Sequence, residues 1–139
     1  MSNFDKHKQV CGAAFIQVDH AVISCNHADA GATIRVVGSW MELHLNKAEF
    51  SEEQGERGLI TQKFEGTMTE AIKDTVYILV HMINEYGLLR IDYTNGERWV
   101  VGDDQSPIML NVSIDGDPQK VKLSLKRVSC SRARLLASL

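Results

Sequence analysis

The stretch Gly87–Pro107, GLLRIDYTNGERWVVGDDQSP, decides how the rest of the chain is arranged. Asn95-Gly96 sits between two runs rich in aliphatic and aromatic residues, the pattern of a tight β-hairpin. A two-residue loop there pairs Thr94 with Glu97, which sets Ile91 opposite Val100 and Tyr93 opposite Arg98. Leu89, Ile91 and Val100 then make the more apolar face. Leu88, Arg90 and Asp92 share the other face with Trp99 and Val101. On that register Trp99 stands opposite Asp92, and a ring of that size needs a cover, either a second sheet or a neighbouring subunit.

Upstream of the hairpin, Thr67-Met68-Thr69-Glu70 matches a helix capping box, with the Thr67 hydroxyl on a free N–H and Glu70 reaching back. Ile72, Val76, Leu79, Ile83 and Tyr86 follow at spacings of four, three, four and three, which places one apolar stripe on one helix face. Gly87 falls where a left-handed C-cap belongs. These signals predict an amphipathic helix over about 68–86, packed on the apolar face of the hairpin.

Downstream, Ser106-Pro107 blocks immediate re-pairing. Ile108, Leu110, Val112 and Ile114 then alternate with polar residues, Asp115–Pro118 turns the chain, and Val121, Leu123 and Leu125 alternate with Lys120, Lys122, Ser124 and Lys126. This is the period of two half-buried antiparallel strands. Towards the N-terminus, Ala14–Ser24 reads as a strand or a tight hairpin around Asp19-His20, and Cys25–Ala32 as a loop. Thr33–Leu45 is extended with a change of phase near Gly38 that a bulge would reconcile. Asn46–Gly58 is a polar connection rich in glutamate, and Leu59–Phe64 is a further strand. Strands, one helix and then two hairpins leave no βαβ repeat, so a parallel doubly wound sheet is disfavoured. The expected class is α+β: an antiparallel β-sandwich or open barrel with one packed helix. The expected organisation is one domain over 1–139, with 1–9 and 130–139 as arms.

Net charge is −3 and the sequence pI about 5.9, which provides no general attraction to nucleic acid or anionic membrane. The longest apolar run, around Val76–Ile83, is far short of a membrane span, and MSNFDKHKQV lacks the apolar core of a signal peptide. Three cysteines without framework spacing suit reduced thiols in a cytoplasm. The charge is segregated. Glu49, Glu52, Glu53 and Glu56 cluster in the polar connection, whereas Lys120, Lys122, Lys126, Arg127, Arg132 and Arg134 lie in a C-terminal region without acids beyond Asp117.

Catalytic signatures are sparse. No histidine stands in a nucleophile context, and neither G-x-S-x-G nor a phosphate loop occurs. The acid pairs Asp103-Asp104 and Asp115/Asp117 flank strand ends, where aspartate satisfies turn backbone. Cys11, His20, Cys25 and His27 carry atoms suited to zinc, and Cys25 and His27 would share a face of a strand. Their spacing matches no zinc module, and buried cysteine with surface histidine is the plainer reading. The basic row Lys120, Lys122 and Lys126 has no interleaved aromatics for nucleic acid and also serves to guard a sheet edge. No cofactor is implied.

Gln62–Gly66, a helix, then Leu89–Gly102 and Ser106-Pro107 resemble small structural proteins of bacteriophage and prophage tail modules, particularly those of Bacteroides-type bacteria. The similarity spans roughly Trp40–Arg127 and rests on Y-x-N-G-x-x-x-V-V-G followed by proline. It implies a non-enzymatic protein that assembles into homo-oligomeric rings or tubes with other tail proteins, in the host cytoplasm and in the virion if phage-encoded. A ring needs two different complementary patches. The candidates are Glu49, Glu52, Glu53 and Glu56 on one side and Lys120, Lys122, Arg132 and Arg134 on the other, with Trp99 as an apolar contact. The alternative is a small-ligand or metal-binding β domain built on Cys11, His20, Cys25 and His27.

Overall fold

The computed structural model of the chain describes residues 9–25, 33–69, 84–115, 120–129 and 132–137. They form β1 (Val10–Gln17), β2 (Val22–Cys25), β3 (Ile34–Val37), β4 (Met41–Leu43), β5 (Lys47–Gln54), β6 (Ile60–Thr69), β7 (Gly87–Tyr93), β8 (Arg98–Val101), β9 (Asn111–Asp115), β10 (Lys120–Ser129) and β11 (Arg134–Leu135). A first sheet has the order β11-β8-β7-β1-β4, a second the order β5-β6-β10-β9, and β2-β3 form a separate ribbon. Every strand pairing within the three is antiparallel.

The two larger sheets enclose one apolar layer. Phe15, Leu89, Ile91 and Val101 from the first sheet meet Phe64, Met68, Val121 and Leu123 from the second, all buried. This is the β-sandwich of the expected class. The first sheet is covered on its other face as well, where Ile16, Leu88 and Val100 pack with Ile34, Val36, Ile23, Trp40 and Leu136. Coverage on both faces explains why Gly87–Ile91 of β7 are all buried, although antiparallel strands usually alternate.

The hairpin is confirmed but its register is not. Tyr93 N donates to Glu97 O at 2.9 Å and Gly96 N to Tyr93 O at 3.0 Å, so the loop is Thr94-Asn95-Gly96. Gly96 takes φ 91°, the left-handed residue that a three-residue loop with a bulge requires. One added loop residue slides the register by one. Ile91 therefore pairs with Trp99 and Arg90 with Val100. A slip of one exchanges the two faces of a strand, so Trp99 turns inward onto the sandwich core beside Leu89 and Ile91. The second sheet is its cover, and Trp99 is not the exposed contact expected of it.

The helix expected over 68–86 is corrected at both ends, and residues 70–83 lie outside the described ones. Thr67, Met68 and Thr69 belong to β6, which is paired with β10 as far as Thr69 and with β5 as far as Thr67. Backbone committed to two neighbours has no free N–H for a capping box to satisfy. Residues 84–86 are not helical. Gly87 is no C-cap: it opens β7, and a Cβ there would strike the Ile16 carbonyl and the Phe15 ring.

Three further expectations are revised. The glutamate-rich connection 46–58 is mostly β5, an edge strand whose alternate residues Ala48 and Phe50 pack on the core. The phase change near Gly38 is no bulge within one strand but a change of sheet, since β3 pairs with β2 and β4 with β1. The C-terminal arm is docked, because β11 pairs with β8 and Ala133 is buried. The alternation of Val121, Leu123 and Leu125 holds through all of β10.

Candidate assembly interface

Among the described residues, the buried arginines Arg90 and Arg134 pair with carboxylates, although Arg134 Nε is buried without a hydrogen-bond partner. Glu42, Ala14, Arg90, Val100 and Arg134 make one cross-strand row of the first sheet. Ala14 is small enough for the Arg90 guanidinium to pass over it. Arg90 Nη2 reaches Glu42 Oε1 at 2.6 Å, Nε reaches Asp92 Oδ1 at 2.8 Å, and the guanidinium lies 5.5 Å from the Trp40 ring centre. Burial pulls the Arg90 pKa down, but the bonds to Asp92 and Glu42 outweigh it and leave the pKa raised. At the end of the row, Arg134 Nη1 donates to Asp103 Oδ2 at 2.9 Å. Asp103 Oδ1 accepts the backbone N–H of Gln105 at 2.9 Å and of Ser106 at 2.8 Å, the turn role the sequence indicates for it. Burial pushes the Asp103 pKa up, while the Ser106 N–H, Arg134 and the Gln105 N–H pull it down further, so that it ends below 3.8.

Arg134 is therefore a buried structural residue, 4% exposed, and not an interface cation. Glu52 is also engaged within the chain. Its Oε2 accepts Gln62 Nε2 and the Ala133 backbone N–H, each at 2.7 Å, which ties β5 to the segment leading into β11. Arg132 Nη2 donates to Gln54 Oε1 at 3.3 Å. The acidic strand and the basic C-terminus thus meet inside one molecule, and only part of each set remains outward.

Most of the outward charge of β5, β6 and β10 lies on one face. On the side of the second sheet away from the core, register lays residues in rows across the strands. Lys47, Thr67, Lys122 and Ser113 form one row, and Glu49, Glu65, Ser124 and Asn111 the next. Ser51, Lys63 and Lys126 form the third, and Glu53, Thr61 and Val128 the fourth. The charged members of these rows are all exposed. Sign alternates across these four rows, and a fifth row, Thr69, Lys120 and Asp115, holds one residue of each sign. Among the described residues, one ion pair bridges the rows, Lys122 Nζ to Glu65 Oε1 at 3.9 Å.

No protein-family model, curated protein or solved structure matches the chain.

The sequence pattern indicated Glu49 and Glu53 and set Lys120, Lys122 and Lys126 in one basic row, all on this face, and missed Lys47, Lys63 and Glu65 as members of it. The missed residues flank inward-facing ones in β5 and β6, and that alternation was the available signal. Glu56 is exposed in the turn between β5 and β6, and Lys120 is exposed at the start of β10. Of the metal candidates, Cys11 lies near the start of β1 and His20 ends the 3-10 turn 18–20 that follows that strand. Cys25 ends β2, and His27 lies outside the described residues. Among the described residues no three His, Cys, Asp or Glu form a group able to hold a metal, and no helix is long and apolar enough to cross a membrane.

A groove of about 670 Å³ runs between β5 and the start of β1, with Val10, Ala48, Phe50, Lys63 and Tyr93 among its walls. Burial, reinforced by the charges of Glu52 and Glu97, pushes the Tyr93 pKa up to about 12. Its phenol therefore stays protonated at neutral pH and cannot serve as a base there.

Proposed function

We propose that this chain is a non-enzymatic structural subunit that acts by self-assembly, of the kind found in phage and prophage tail modules. The observation that carries this reading is the outer face of the second sheet, whose four successive rows from Lys47 to Glu53 alternate in sign and are polar throughout apart from Val128. The ion pairs of the first sheet support it from the other side. Buried Arg90 pairs with half-buried Asp92 and exposed Glu42, and Arg134 with Asp103, which leaves them as fasteners rather than reacting groups. Three of the four edges of the two larger sheets also turn association towards faces. β4 and β11, the edges of the first sheet, have three and two residues, and β5 carries Lys47, Glu49 and Glu53 along the edge of the second. Short and charged edges discourage strand addition.

Light scattering over a concentration series, with negative-stain microscopy at the highest concentration, tests the proposal. A mass that rises with concentration and ordered particles are the expected result. A monomer at every concentration and ionic strength would refute it.

A further inference from the structure

We infer that the outer face of the second sheet docks on the same face of a second copy, about a two-fold axis that crosses the strands over Phe50, Phe64 and Leu125. The inference rests on the assembly reading above and names its partner and contact. Phe50, Phe64 and Leu125 are cross-strand neighbours that point into the core, so the axis runs between the outward row Glu49/Glu65 and the outward row Lys63/Lys126. A two-fold axis lying in the face and along the rows keeps each strand over its own copy and exchanges rows on either side of it.

The exchange sets opposite signs against each other. The row of Glu49 and Glu65 meets the partner's row of Lys63 and Lys126, with Glu65 directly over Lys63 because both lie on β6. The row of Lys47 and Lys122 meets the row of Glu53, with Lys47 over Glu53 because both lie on β5. No like-charged rows coincide. An axis displaced by half a row interval would instead lie along a row and set it against itself.

Within one chain the same charges are poorly spent. Glu49 and Glu65 are direct cross-strand neighbours on one face, an arrangement that destabilises the isolated sheet. Neighbouring rows are about 7 Å apart along a strand, and among the described residues one ion pair, Lys122 to Glu65 at 3.9 Å, bridges them. A second copy brings Lys63 over Glu65, with Lys126 of the same row one strand further along.

Size sets the strength. Four strands span about 19 Å, and the paired length is about 30 Å, so each copy contributes about 600 Å². That is below the roughly 800 Å² per partner of a standard stable interface. The contact is therefore reversible, dependent on concentration, and weakened by salt as the screening length shrinks.

Charge exchange at Lys47 and Glu53 tests the inference, read by sedimentation velocity at low and high salt. Both residues are exposed on an edge strand, and a thermal melt checks that each variant is folded. Either Lys47→Glu or Glu53→Lys alone should raise the dissociation constant at least about tenfold, and the two together should restore it to within about threefold. Lys63→Glu and Glu65→Lys form an independent second pair with the same expectation. Wild-type association that neither pair alters, or double variants no better than the singles, would overturn this contact while leaving self-assembly standing. A wild-type protein that does not associate at all would overturn both.

Discussion

Asp103 and Arg134 hold the last strand to the first sheet through one short ion pair, and the pair is almost wholly out of water. Side-chain exposure is 7% for Asp103 and 4% for Arg134, at 2.9 Å. Breaking a buried pair leaves its partner charged and desolvated, so Asp103→Asn should cost roughly 3–5 kcal/mol in denaturant unfolding. The pH dependence follows from the direction of the shift. The folded Asp103 pKa is below the ordinary 3.8, so the carboxylate's contribution is fully present above that value and is lost as pH falls through the folded one. Stability measured between about pH 5 and pH 2 should fall in the wild type, with a shallower slope in Asp103→Asn. Equal slopes would show that another carboxylate carries the acid sensitivity. The turn role of Asp103 was legible in Gly102-Asp103-Asp104, because aspartate after a strand-ending glycine caps backbone. Its ion pair was not, since Arg134 is thirty-one positions away and nothing local marks it as buried.

At the scale of single elements, β7 carries the most constraint. It pairs with β1 on one side and β8 on the other, and it lies between two apolar layers. Gly87 opens it where Ile16 and Phe15 approach so closely that no side chain fits. Gly87→Ala should therefore destabilise by about 3 kcal/mol or more, by overpacking against backbone that cannot retreat. A change under about 1 kcal/mol in a denaturant titration would mean that β1 yields, and that the close approach is not a requirement of the fold. The Asn-Gly signal located this hairpin, but it could not distinguish a two-residue loop from a three-residue one. The choice depends on whether Trp99 gains more inside the sandwich than outside it, which is decided by a sheet distant in sequence. The capping box at Thr67 was misleading for a related reason. Its pattern is local, whereas the pairing of β6 with β5 and β10 extends over ten residues on one side and eight on the other.

Across the whole molecule, alternation was the signal that worked. Val121, Leu123 and Leu125 faced inward as their spacing required, and the lysines between them faced outward with the glutamates and lysines of β5 and β6. The antiparallel sandwich was legible in this way. The striped face was not, because its rows run across strands and exist only once the register is set. A polar connection in the sequence proved to be an edge strand for the same reason: β5 buries just Ala48 and Phe50 with an acid between them, too few apolar residues to announce a strand. The resulting picture has charge inside the molecule spent on holding strands and charge outside it arranged in rows that a second copy can match.

Zero-length carbodiimide cross-linking of mixed isotopically labelled copies at low salt, followed by peptide mapping, tests that picture most directly. Lys47 and Glu53 are six residues apart on β5, about 20 Å, so they cannot be joined within one folded chain. Joined peptides carrying Lys47 from one isotopic form and Glu53 from the other, together with Lys63 joined to Glu65 in the same mixed sense, are the expected products. Cross-links confined to single copies, or between copies only at residues off this face, would contradict it.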